Sequence, residues 1–173
     1  MPTNDTDNDK SAIDVDLSAP NIVRDVAAAL AAELEETIGL FEASYFVGQV
    51  GDDLGMSIGR KYADKLGTLP TEPEALAQLL VDLSTRIGAD FSVESATEDE
   101  IVLLNDACPF ASRVEGHPSL CMTTTNVLGR IVSHARGYAN VTIKEAIATG
   151  HKRCRVRLCL SKEQSDEGFE FFR

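Results

Sequence analysis

The sequence predicts an α+β fold in which N-terminal helices pack on an antiparallel sheet built from two C-terminal hairpins with a helix between them. Three observations carry this expectation. Apolar residues recur at helical spacing as far as Gly88, and the period switches to two from Ala89 onward. A second helical stretch, from about Pro118 to Ala135, then separates two pairs of strand-like segments.

Each element has its own signal. Residues 1–18 carry Asp5, Asp7, Asp9, Asp14 and Asp16 against Lys10 and have no periodic apolar positions. They read as a disordered acidic arm, which leaves 19–173 as a single domain. A helix starts near Pro20, with Ile22, Val23, Val26, Leu30 and Leu34 at helical spacing, and Gly39 ends it. A second helix runs from Phe41 to Leu66 and contains Gly48, Gly51, Gly55 and Gly59. Each glycine costs a helix up to about 1 kcal/mol relative to Ala. Four at near-regular spacing therefore point to a close backbone approach to another helix or to a ligand. Thr71 and Glu74 form a capping-box signature for a third helix ending near Gly88. Ala89–Ser95 and Glu100–Asn105 then read as a hairpin around Thr97–Glu98–Asp99. After a loop over Cys108–Pro118, the fourth helix reaches Gly137, a natural stop. The second hairpin is Ala139–Ile147 and Lys152–Leu160, joined through Thr149–Gly150–His151.

Composition excludes several classes. The chain has 173 residues, no Trp and 6% aromatics, so a mostly aliphatic core is expected. Uncharged stretches in helical regions, such as Ala43–Gly51, are far too short to cross a bilayer. The polar start Met1–Asp9 is unlike a signal peptide, so a cytoplasmic protein without a membrane partner is expected. A net charge of −12 argues against direct binding of nucleic acid. Between Arg130 and Cys159 the sign reverses: seven basic residues face one acid, Glu145. Such a run suits a solvated face, or a docking face for an acidic partner or for the chain's own arm.

The four cysteines, Cys108, Cys121, Cys154 and Cys159, all lie in the second half. Their uneven placement points to thiolate chemistry or burial, not to a disulfide scaffold. Cys121 opens a helix, whose N-terminal dipole favours a thiolate. On the last strand Arg153, Arg155 and Arg157 share a face, so parity turns Cys154 inward and Cys159 outward. On the partner strand the same parity turns Glu145 inward, and a four-residue turn over Ala148–His151 sets it opposite Cys154. A divalent ion would satisfy an inward acid beside an inward thiol, since both are ordinary zinc ligands. The cysteines also suit a core of small hydrophobes, and spacing alone leaves both readings open. His117, at a helix entrance four residues before Cys121, is either a cap or a further ligand. No Ser–His–Asp spacing, phosphate loop or zinc-hydrolase helix motif is present.

Cys108–Pro109–Phe110, His117–Pro118–Ser119–Leu120–Cys121 and Gly150–His151–Lys152–Arg153–Cys154–Arg155–Val156 together resemble the cysteine-bearing sensor domains of the vinyl-4-reductase superfamily. The resemblance is nearest to the methanogen output domain, with similar segments in the effector domain of iron–sulfur-responsive repressors, and covers roughly residues 100–160. It implies a ligand-sensing module with a structural zinc or an iron–sulfur cluster beside an apolar pocket. Zinc-bearing relatives carry another cysteine on the penultimate strand, where this chain has Ala146. That departure leaves Cys108, Glu145 or His117 to complete the set.

The expected function is thus a stand-alone sensory or regulatory module. Zinc sits on Cys108, Cys121, Cys154 and His117, with an iron–sulfur cluster as the alternative. A small hydrophobic effector lies between Phe41, Tyr45, Phe46, Val50, Leu54 and Met56 of the second helix and Phe91, Val93, Val141 and Ile143 of the sheet. A homodimer forms along the glycine-bearing helix, and the signal passes to a separate protein. Two alternatives are a tetrapyrrole side-chain reductase, for which no hydride-handling residue set is visible, and a dimeric acyl-binding adaptor.

Overall fold

A computed structural model describes residues 17–164 and 167–173. The acidic arm expected over residues 1–18 lies, apart from Leu17 and Ser18, outside the described residues. Among the described residues four α-helices, α1 (Ala19–Ile38), α2 (Leu40–Leu66), α3 (Pro73–Arg86) and α4 (Cys121–Arg136), accompany five strands. The strands are β1 (Phe91–Ala96), β2 (Glu100–Asn105), β3 (Tyr138–Glu145), β4 (Cys154–Cys159) and β5 (Phe169–Phe172). They form one antiparallel sheet in the order β1-β2-β4-β3-β5. This is the α+β architecture the periodicity predicts, with one strand added.

Local chemistry sets the boundaries. Gly137 adopts a left-handed conformation at φ 93° and returns its N–H to the Ser133 carbonyl, which ends α4 where expected. Thr97 closes the β1–β2 turn by donating its N–H to the Glu100 carbonyl at 2.8 Å. The capping box expected at α3 does not form. Glu72 is the N-cap and makes no side-chain bond, and Pro73 in the first turn supplies the helical φ instead.

One face of the sheet carries α3 and α4. Leu76 and Leu80 of α3, Ile131 of α4, Ile101 and Leu103 of β2 and Leu158 of β4 are fully buried between these layers. The unanticipated β5 pairs with β3 and drives Phe171 against α4 at Gly129. A Cβ there would lie 2.3 Å from the phenyl ring, so only glycine fits. On the outer face, Arg153, Arg155 and Arg157 pair with Asp106, Glu94 and Glu100 at 3.2, 2.6 and 2.5 Å. The basic stretch is therefore neutralised in space by acids from other segments. Among the described residues no helix is long and apolar enough to cross a membrane.

The second helix lies on α4, not on the sheet. Gly48, Gly51, Gly55 and Gly59 are buried, and Gly51 and Gly55 press directly on Thr123 and Val127 of α4. That intramolecular contact corrects the expectation that these glycines line a dimer seam. It also keeps Phe41, Tyr45, Phe46 and Val50 away from Val93, Val141 and Ile143, because α4 lies between that part of α2 and the sheet. Phe41, Tyr45 and Phe46 face away from the body and are 83%, 62% and 54% exposed.

Candidate functional site

Three segments far apart in sequence deliver the three inner cysteines to one place. Cys108 opens a tight turn just beyond β2, in which Ala111 donates its N–H to the Cys108 carbonyl at 2.8 Å. Ala111 takes the left-handed conformation at φ 53°, costly for a residue with a Cβ, so the surrounding fold imposes this turn. Cys121 begins α4, directly after the single helical turn Pro118–Leu120. Cys154 is the first residue of β4, and its Sγ accepts the Ile147 N–H at 3.4 Å. All three sulfur-bearing residues line one small cavity of about 20 Å³, walled by Phe91, Phe110, Ile143 and Val156. That volume admits one body about the size of a water molecule.

The cavity is hostile to unneutralised thiolates. Burial pushes the Cys121 thiol up to about 12, and the neighbouring Cys154, Cys108 and Glu35 add to the shift. Burial likewise pushes Cys108 up to about 11, eased by the Phe110 N–H and reinforced by Cys154. Each of these two shifts includes a repulsion from Cys154, so the sulfurs sit within electrostatic reach of one another. Only a cation would hold them together as thiolates near neutral pH.

His117, four residues before Cys121, is fixed from α1. Its Nδ1 lies 2.9 Å from Glu35 Oε2, and the Ser119 N–H donates to Glu35 Oε1 at 3.0 Å. Burial opposes ionisation of Glu35, but the hydrogen bonds from Ser119 and His117 outweigh it and hold the carboxyl below its usual range. A carboxylate on one imidazole nitrogen is the standard support for a metal on the other. Glu35 is the residue that sequence reasoning missed. It sits among Glu33 and Glu36 in an acidic helix, with nothing in the local pattern to single it out.

Two expectations are corrected. Glu145 does not face Cys154: a β-bulge between Ile143 and Glu145 shifts the register, so Glu145 lies opposite Arg155 on the outer, arginine-bearing face. It drops out as a ligand. Cys159 does turn away from the other thiols, but it is fully buried and not exposed, with its Sγ donating to the Ser161 carbonyl at 3.2 Å. Among the described residues no three His, Cys, Asp or Glu side chains are gathered closely enough to hold an ion as they stand. The donors themselves, three thiols and one carboxylate-backed imidazole, have the chemistry of a zinc set.

A larger space adjoins the cysteine cavity across Phe91, Pro109 and Phe110. It is a groove of about 760 Å³ bounded by the start of α1, the middle of α2, the end of α3 and the first turns of α4. Leu54 and Phe91, two of the residues expected in a pocket, meet on its walls.

Solved structures with this fold carry diverse ligands. The phenol-responsive sensory domain of the transcription activator PoxR, solved with phenol, superposes with a TM-score of 0.63. It is 16% identical and aligns over 83% of this chain and 76% of its own. Subunit 3 of a trafficking protein particle complex from Naegleria fowleri, covalently bound to palmitic acid, superposes with a TM-score of 0.59 at 15% identity. That match covers 83% of this chain and 95% of the other. No curated protein sequence matches the chain. The family model for methanogen output domain 1 matches residues 27–159, a span that includes the whole cysteine cluster, and the chain belongs to that family.

Proposed function

We propose that this chain is a sensory or regulatory module in which a metal clamps the cysteine loop to α4 and β4, and an apolar groove beside it receives a small hydrophobic effector. The metal is zinc, ahead of an iron–sulfur cluster, on Cys108, Cys121, Cys154 and His117. The observation that carries the reading is the convergence of three thiols, from a loop, a helix start and a strand start, on one apolar cavity. A closed four-ligand site needs no redox partner or assembly machinery, which favours zinc. Bound, the ion would supply the positive charge that lets the thiols ionise and would rigidify the loop; the chain's own residues position the donors.

The effector reading rests on the groove and on the ligands named for the two structural relatives, phenol and palmitic acid. Phe41, Tyr45, Phe46 and Val50 of α2 give an exposed stretch whose only charge is Glu42. Paired across a twofold axis with the same stretch of a second copy, it would form a homodimer without the glycines. Competition with a chromophoric zinc chelator tests the site: wild type should bind one zinc per chain, and Cys108→Ala, Cys121→Ala and Cys154→Ala should each lose it. Retention of full affinity by all three variants would sink the proposal. Palmitate or a similar fatty acid found in the native protein by mass spectrometry would favour the acyl-binding adaptor instead.

A further inference from the structure

We infer that the groove's ligand is an organic anion, an apolar body carrying one carboxylate, and that Arg24 receives the carboxylate. The inference deepens the effector reading above and rests on it. Acids outnumber bases by 28 to 16 in the chain, yet among the described residues lining this groove there are two arginines and no acid. Arg86 is already committed, with both its Nε and a terminal nitrogen on Asp82 at 2.7 and 3.1 Å. Arg24 is not. It is half-buried, and its one hydrogen bond among the described residues goes to the neutral Asn21 Oδ1 at 3.0 Å.

Contrast sharpens this. Arg113, Arg130, Arg136, Arg153, Arg155 and Arg157 each hold a carboxylate. Among the described residues, the other half-buried arginines are thus neutralised, and Arg24 is the exception. The guanidinium also has a prepared seat. Gly88, at φ 80°, lies so close that a Cβ there would stand 2.7 Å from an Arg24 terminal nitrogen. Gly88 thus leaves room for the guanidinium at the groove's rim. The start of α1, with no acid in its first turn, points its positive end to the same rim. Beyond it run Val23, Leu54, Leu83, Phe91 and Val127, an apolar wall for the rest of the ligand.

A matched pair of probes separates the anchor from the groove. Calorimetric titration of 4-phenylbutyrate and of 4-phenylbutan-1-ol into the full chain should show the acid binding at least tenfold tighter. Arg24→Gln should bring the acid down to the alcohol's affinity and leave the alcohol unchanged, and Arg24→Lys should restore part of the difference. Arg60→Gln, at an exposed position on α2, should change neither. Equal binding of acid and alcohol, unaffected by Arg24→Gln, would overturn the anion inference while the hydrophobic effector reading survives. Binding of neither probe would overturn both.

Discussion

Replacing the α2 glycines one at a time by alanine should give changes of opposite sign, and the distances fix which is which. At Gly59 the nearest foreign atom to an added Cβ is Ile131 Cγ1 at 3.6 Å, an ordinary contact. Alanine there gains helix propensity and should stabilise by about 0.5–1 kcal/mol. At Gly51 the Cβ would stand 2.8 Å from the Thr123 carbonyl oxygen and 2.9 Å from its Cα. At Gly55 it would stand 2.9 Å from Arg130 Cβ and 3.0 Å from Val127 Cα. Backbone atoms of α4 cannot swing aside as a flexible side chain does, so the helices must separate. Overpacking of this kind costs about 1–3 kcal/mol, and the propensity gain offsets part of it. A net loss of about 1–2 kcal/mol is expected at each. For a chain of this length 1 kcal/mol moves Tm by roughly 2–4 °C. Gly59→Ala should therefore melt about 1–4 °C higher than wild type, and Gly51→Ala and Gly55→Ala about 2–8 °C lower, by circular dichroism at a fixed protein concentration. A rise in Tm for Gly51→Ala would refute the close α2–α4 contact. So would identical shifts at all three positions.

Other consequences are equally direct. The folded-state pKa values of Cys108 and Cys121 lie above the ordinary 9.0, so the stability they contribute is complete below about pH 9 and is lost as pH rises through about 11 to 12. Metal-free protein should lose stability across that window in urea titrations, with a flatter decline in Cys108→Ala/Cys121→Ala. Because both thiols are protonated near pH 7, zinc uptake should release at least two protons per chain, read from titrations in buffers of different ionisation enthalpy. A release below one would contradict a dithiolate site. Glu35→Gln should weaken zinc by roughly 10–100-fold while every cysteine remains, since it removes only the support of His117. Cys159→Ala should lower Tm by creating a small void yet keep its metal, whereas Cys154→Ala should lose zinc, and its deficit should shrink when both proteins are compared under chelator. The proposed homodimer predicts twice 18.7 kDa at sedimentation equilibrium, reverting toward 18.7 kDa in Phe41→Ser/Phe46→Ser.

Much of the fold was legible because its punctuation is chemical. Gly39, Gly88 and Gly137 mark the ends of helices, and strict alternation in Val141–Ile143 and Val156–Leu158 marks strands. What escaped reading depends on long-range contact. The Phe169–Phe172 strand is too short to show a period, and its identity comes from Phe171 filling the gap that Gly129 leaves on α4. The direction in which the α2 glycines face is set by α4, about seventy residues later, so spacing revealed close packing but not its partner. At the site, parity placed Cys154 correctly, whereas Glu145 was misplaced by a bulge of one residue, which reverses every side chain beyond it. Cys159 shows the limit of parity itself: it gives the face, not whether that face is covered. Glu35 was invisible because its role exists only through the approach of α1 to the His117–Ser119 turn.

X-ray absorption at the zinc edge, on protein purified without added metal, tests the central proposal most directly. The account predicts a tetrahedral shell of three sulfurs at about 2.3 Å and one nitrogen at about 2.0 Å, with the nitrogen contribution lost in His117→Ala. A shell of oxygen and nitrogen alone, or a protein free of metal whose thiols react freely in the native state, would contradict it.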